Sequence, residues 1–166
     1  WTPLERLEGT LTPNGLHFVR NHNGTPAIDA TLHRLLLHWR LRQPLAWEVE
    51  ALLRYPLRSQ QLFLECGGNS NAGWHEEPAQ RPAGLLHGLV SCSEWSGVPL
   101  SLLLEEAGVE RGAGWLVATG ADAGAFHMSL PLEKAFDDCL VALYQNGERL
   151  RPENGYPLRL LVPGWR

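Results

Sequence analysis

The stretch Gln61-Leu-Phe-Leu-Glu-Cys66-Gly-Gly-Asn-Ser70 constrains this chain more than any other. Leu62 and Leu64 alternate with Phe63 and Glu65, the period-2 pattern of a strand. Gly67-Gly68 cannot continue it without a sharp turn, so a thiol stands at the mouth of the strand. Glycines directly after a reactive side chain carry no Cβ and let the backbone come close to something bulky, and the neighbour expected there is a cofactor. The same residue type also suits a buried structural cysteine, because a free thiol behaves as a small hydrophobe.

On either side of that stretch the chain alternates short apolar runs with turn signals. Arg34 to Leu41 predicts a half-buried strand with Leu35, Leu37, Trp39 and Leu41 on one face. Leu45, Val49, Leu52 and Leu53 recur at helical spacing, and Tyr55-Pro56 closes that short helix. Residues 71–85 read as an irregular loop; its His75-Glu76-Glu77 invites a metal reading, but consecutive residues do not easily converge on one ion. Ser91 to Gly97 leads into a helix over Pro99 to Ala107, with proline in its first turn and Gly108 just past its end. Trp115 to Ala118 is a short strand, followed by the loop Gly120-Ala-Asp122-Ala-Gly124. Leu140 to Gln145 and Tyr156 to Val162 supply further strands, with a hairpin turn at Asn146-Gly147. The fold class expected is α+β, with mixed β-sheets, short helices and many loops.

At 166 residues and 18.5 kDa the chain can bury a core of its own, and residues 1–166 are expected to form one domain. Lysine and arginine number 14 against 18 acidic side chains, a net charge of −4 with no run of like charges. A nucleic-acid partner is therefore not expected, since phosphate neutralisation calls for a basic face. No apolar run approaches the roughly 18 residues needed to span a bilayer. The cysteines at 66, 92 and 139 give an odd count with no Cys-x-x-Cys pair, which argues against a closed disulfide framework and against a zinc knuckle. Cys92 is expected to serve packing.

Four blocks carry a resemblance: Phe18-Val19-Arg20-Asn21-His22, Leu-Glu-Cys66-Gly-Gly-Asn69, Gly97-Val-Pro-Leu100 after Trp95, and Gly155-Tyr-Pro-Leu-Arg159-Leu-Leu-Val-Pro163-Gly164. In order and spacing they resemble the molybdenum-cofactor domain of the sulfite oxidase family over nearly the whole chain. Thr12-Pro-Asn-Gly-Leu-His17-Phe, Ser91-Cys-Ser-Glu-Trp95 and Pro131-Leu-Glu-Lys-Ala135 are most similar to the bacterial branch that contains the molybdenum subunit of the sulfane dehydrogenase of the Sox system.

That resemblance implies a molybdenum-molybdopterin cofactor with Cys66 as the protein's ligand to the metal, a task that suits a soft thiolate. It implies cofactor contacts from Phe18, Val19, Arg20, Asn21, His22, Asp122, Asn154 and Arg159, with Arg20 also reaching an anionic substrate and Arg159 meeting the cofactor's phosphate. Guanidinium fits both tasks because it stays charged and presents a planar fork to oxyanions. Outside the resemblance, Arg20 reads as a solvated turn residue and Asp122 as a turn former. Some relatives carry arginine where Asn71 stands, as part of a basic sulfite pocket, so its absence favours sulfane sulfur on a carrier protein over free sulfite. The implied reaction is oxygen-atom transfer to sulfur, with electrons passed to a c-type cytochrome in the bacterial periplasm. The resemblance also implies that 166 residues are a fragment, and that the full protein continues into an immunoglobulin-like domain and forms a homodimer or part of a heterotetramer. Two rivals stay open: a sulfoxide reductase on the same scaffold, and an interaction module that has lost the metal.

Overall fold

Strands dominate because the apolar runs are short and bounded by turn formers. In the computed structural model the described residues are 1–122 and 124–165. A hairpin of β1 (Arg34–Leu37) and β2 (Leu45–Glu48) leads to the main sheet, in which β3 (Arg58–Glu65), β4 (Val90–Pro99), β7 (Leu140–Gln145) and β8 (Glu148–Arg149) lie side by side. β9 (Arg159–Leu161) also pairs with β7. β5 (Trp115–Thr119) and β6 (His127–Pro131) form a separate two-stranded sheet. Three short helices complete the described elements: α1 (Ala83–His87), α2 (Leu100–Ala107) and α3 (Leu132–Asp137). Antiparallel sheets with separate helices are the expected α+β class.

Although alternate residues of β3, Phe63 among them, meet solvent, the main sheet packs side chains on both faces. One carries Val98, Val141 and Leu143 against α2 and α3, with Trp47, Val49 and Leu52 completing that core. α2 buries Leu100, Leu103, Leu104 and Ala107, the i, i+3, i+4, i+7 stripe of an amphipathic helix, as its sequence predicts. The second face packs Trp95, Leu140, Ala142, Leu150 and Leu161 together with Leu62, Leu64 and Tyr156. Between these faces the β4–β7 ladder slips at Ser96/Gly97: Trp95 opposes Gln145, yet Gly97 opposes Ala142. The extra residue turns both Leu143 and Tyr144 toward the first core, which is how a bulge re-aims side chains.

Several local expectations give way to tertiary partners. The strand predicted over residues 34–41 stops at Leu37, because Trp39 and Arg40 adopt left-handed φ of 67° and 53°; Trp39 is then 82% exposed, and Leu41 keeps only a bridge to Val109. The predicted helix beginning at Leu45 is instead β2 followed by a 3-10 turn, Glu50–Arg54. Pairing with β1 wins there, and Trp47 is buried by it while donating its indole N–H to Tyr55 Oη at 2.7 Å. Residues 90–99 form one ten-residue strand, and α1 lies at the end of the segment expected to be an irregular loop. β6 and α3 were not predicted at all.

Candidate cofactor site

Cys66 extends β3 by one residue, its N–H donating to the Leu89 carbonyl at 2.9 Å. A turn follows at once, closed by Asn69 N–H on the Cys66 carbonyl at 2.8 Å. Asn69 is 7% exposed and knits this turn to its surroundings: its amide donates to Glu65 Oε1 and its oxygen accepts from Leu89 N–H, at 3.1 and 3.0 Å. The left-handed residue of the turn is Ser70, at φ 66°, and neither Gly67 nor Gly68 has positive φ. The two glycines therefore serve space rather than curvature. A Cβ on Gly67 would meet nothing within 4 Å, and one on Gly68 would lie 3.8 Å from both Cys66 Sγ and Asn71 Nδ2.

The thiol is partly exposed, and its hydrogen-bond donor is Gly68 N–H at 3.4 Å. Cys139 shows the contrasting case. Its thiol is buried against the Lys134 carbonyl at 3.2 Å, and burial pushes its pKa up to about 11, which keeps it protonated and inert. Cys92 lies half-buried opposite Phe63 on β3.

The Phe18–His22 segment reaches the same end of the sheet. Phe18 N–H donates to Ser91 Oγ at 3.0 Å, and Ser91 opposes Leu64, two residues before Cys66. Phe18 is buried, whereas Val19, Arg20, Asn21 and His22 are exposed. Asn21 Nδ2 touches the Glu153 carbonyl at 3.5 Å, which joins this loop to the turn Pro152–Asn154. The loop holding Asp122 approaches from the other side: a side chain at Gly124 would come within 2.7 Å of Asn23 Nδ2 and 3.7 Å of Asp122 Oδ2. The structure thus brings Phe18–His22, Asp122 and Asn154 to one region. Among the described residues no hydrogen bond links Cys66 to Arg20 or to Arg159.

Arg159 lies on the second face of the sheet, over the Trp95 ring at 5.7 Å. One of its N–H groups donates to the Asn154 carbonyl at 3.0 Å, and no carboxylate among the described residues pairs with it. Part of the residue meets solvent, yet desolvation around the guanidinium lowers its pKa to about 10. A buried cation with so little compensation is costly, and an incoming anion relieves that cost. Asn154 is 2% exposed and leaves Oδ1 without a partner among the described residues.

One residue that the sequence reading did not single out stands at the centre of this group. His17 is 6% exposed, stacked on Phe18 with ring centroids 5.2 Å apart and edge-on to Trp95 at 5.9 Å. Desolvation, and then the nearby Arg159, lower its pKa, while its hydrogen bond to Phe18 acts the other way. No periodicity signal marks it, because it lies in a loop and, apart from the adjacent Phe18, its partners Trp95 and Asn154 are more than seventy residues away.

An accessible thiol beside open space, with a poorly compensated buried guanidinium and unpartnered polar atoms, suits a large anionic ligand that binds through sulfur and hydrogen bonds. Among the described residues no group of three or more His, Cys, Asp or Glu is placed to hold a metal ion by itself, so the thiol would be the protein's single donor. No helix among them is long and apolar enough to cross a membrane.

Comparison with known proteins agrees with this chemistry. The sulfane dehydrogenase SoxCD from Paracoccus pantotrophus superposes with a TM-score of 0.94 at 42% sequence identity, over 98% of this chain and 42% of that one. NADH nitrate reductases are also similar: the Ulva prolifera protein is 31% identical over 172 residues and a Brassica napus protein 33% over 180, covering 95% and 98% of this chain. The chain spans about a fifth of the length of those reductases. Residues 22–166 match the family described as the oxidoreductase molybdopterin binding domain. With a match of that extent and a sheet end of this chemistry, the chain belongs to the oxidoreductase molybdopterin binding domain family, and molybdenum-molybdopterin is the cofactor of the domain.

Proposed function

We propose that this domain is the molybdenum centre of an oxidoreductase acting on sulfur, either sulfane sulfur on a carrier protein or sulfite, with electrons leaving to a c-type cytochrome in the periplasm. The observation that carries the reading is that the same sheet carries a partly exposed thiol and a desolvated guanidinium that no carboxylate among the described residues neutralises. The choice of sulfur is supported by the 42% identity to a sulfane dehydrogenase, against 31–33% to the nitrate reductases. Asn71, whose amide flanks the thiol across Gly68, brings no charge to the approach, which suits a carrier-borne group better than a small dianion.

Bound there, molybdopterin supplies the redox-active metal and oxygen-atom transfer to sulfur. Cys66 holds the metal as a thiolate, and Gly67 and Gly68 keep its approach free of side chains. Phe18, Val19, Asn21, His22, Asp122 and Asn154 line the pterin, Asp122 by accepting its N–H groups. Arg159 receives the anionic end and regains the pairing it lacks. Arg20 projects from the exposed loop and orients the anionic sulfur group. In the whole protein, a homodimeric or heterotetrameric assembly would bring the electron acceptor within reach of this face.

The reading is tested by metal analysis and by comparing turnover of carrier-bound sulfane, sulfite, methionine sulfoxide and nitrate in the loaded full-length enzyme. One molybdenum per chain with turnover of a sulfur donor is expected. Absence of the metal would favour an interaction module, and turnover confined to nitrate or sulfoxide would reassign the substrate.

Two substitutions separate the roles of the arginines. Arg20→Ala is expected to lower kcat/KM for an anionic sulfur donor by about ten- to a hundredfold, the loss of one charge-assisted hydrogen bond, with molybdenum content unchanged. Arg159→Met should do the reverse. Desolvation lowers this guanidinium's pKa to about 10, so carrying its charge costs the unloaded fold stability for as long as the group stays protonated. The methionine variant is thus expected to melt no lower than wild type when unloaded, yet to retain less cofactor. A variant that is markedly destabilised but loads normally would contradict the anion-binding role.

A further inference from the structure

We infer that His17 belongs to the cofactor's seat: its imidazole is the Nδ1–H tautomer, and Nε2 is an acceptor kept for an N–H donor that arrives with the pterin. This rests on the reading that Asn154 and Arg159 line the cofactor.

The tautomer follows from the partner. Nδ1 lies 2.9 Å from the Phe18 carbonyl oxygen, which can only accept, so Nδ1 carries the proton. Burial and the neighbouring Arg159 both disfavour a second proton, so Nε2 presents a lone pair. That atom is sealed from solvent and has no partner among the described residues. An orphaned acceptor inside a protein costs on the order of a hydrogen bond's desolvation, and such atoms are rare unless a ligand or ion completes them.

A second orphan stands beside it. Asn154 Nδ2 lies 3.4 Å from His17 Nδ1; with the proton on Nδ1 that contact sets donor against donor, so the amide either turns to offer Oδ1 there and leaves Nδ2 without a protein partner, or leaves both of its polar atoms unmet. Two residues more than nine-tenths buried, on two separate loops, therefore leave unmet hydrogen-bonding capacity in one place, and the ring of Trp95 that His17 meets edge-on also lies under Arg159. Phe18 and Trp95 place aromatic rings against His17, so a flat heterocycle that carries donors fits the unmet acceptor. Pterins carry ring N–H and amino groups in a flat heterocycle, which matches a neutral acceptor set between aromatic rings. The carbonyl that His17 holds belongs to Phe18, directly before the exposed Val19–His22 loop, so the same imidazole also fixes the root of the loop carrying Arg20.

The test is 15N NMR of histidine-labelled full-length chain before and after loading with molybdopterin, the His17 signals being identified by their absence from His17→Phe. The unloaded protein is expected to show protonated Nδ1 and bare Nε2, and loading to move Nε2 to a hydrogen-bonded shift. His17→Phe should hold molybdopterin about tenfold more weakly, the worth of one hydrogen bond, with an unloaded melting midpoint close to wild type. His17→Gln, which restores an acceptor and a donor, should recover most of that affinity. An Nε2 signal unmoved by loading would mean that Arg159 or water already satisfies it and would overturn the inference, as would full-strength binding by His17→Phe. Should that variant fail to fold, the wild-type shift decides alone. A wild-type chain that takes up no molybdopterin would sink both this inference and the reading beneath it.

Discussion

Cys66→Ser is expected to leave a folded domain whose sulfur-donor turnover falls more than about a hundredfold, since loss even of outer partners of a metal ligand costs ten- to a hundredfold. The fold should barely notice. The thiol is partly exposed, its hydrogen bond is a long one from Gly68 N–H that a hydroxyl can also accept, and the turn is closed by backbone groups and by Asn69. An unfolding midpoint within about 0.5 kcal/mol of wild type is the expected equilibrium result. Cys139→Ser supplies the opposite pattern: a hydroxyl in that buried site should cost about 1–3 kcal/mol of stability and leave turnover per folded molecule intact. Wild-type turnover in Cys66→Ser, measured on purified loaded enzyme, would remove the metal-ligand role.

Gly97→Ala should have the largest effect on folding, about 4 kcal/mol or more, enough to unfold a domain of ordinary stability. A Cβ there would lie 2.1 Å from the Val141 carbonyl oxygen and 2.6 Å from Ala142 Cα. Backbone atoms of a central strand cannot swing aside as a flexible side chain can. Relieving the clash would mean opening the β4–β7 ladder at its bulge, which separates the Leu143 and Tyr144 packing from Trp95 on the other face. Gly147→Ala is the control. Gly147 sits at φ +80° in the hairpin turn with nothing near its missing Cβ, so its cost is conformational only, about 1 kcal/mol. Urea denaturation of the two variants should separate them clearly, and near-equal midpoints would show that the sheet yields at the bulge.

The site divides along the same line between backbone and long-range packing. Gly155 to Arg159 and the Cys66 turn were visible as motifs, yet what makes Arg159 notable is that no carboxylate among the described residues pairs with it, and that depends on β9, β4 and the N-terminal loop meeting. His17 stands inside a block that carries the resemblance, but nothing in the sequence marks its imidazole as part of the site. Asn154 was named through the resemblance alone, and its burial and unpartnered oxygen are visible only in the fold.

Local chemistry sufficed wherever one residue's backbone preference decides the outcome. Pro99 and Gly108 bracket α2, Asn146-Gly147 turns β7 into β8, and the apolar alternation before Cys66 makes a strand that ends at the thiol. The order of the four blocks was enough to suggest the family. Where a short apolar run is compatible with either period, distant partners chose: β1 drew Leu45–Glu48 into a hairpin against its helical spacing, and β3 and β7 made residues 90–99 one strand. Burial of charge and of hydrogen-bonding groups is a property of the assembled sheet faces, because desolvation depends on every atom that surrounds a group and not on its neighbours in the chain. That is why the thiol, and with it Asn154 and Arg159 through the family resemblance, could be named from the sequence, whereas the imidazole and the burial of these groups appear only in the fold.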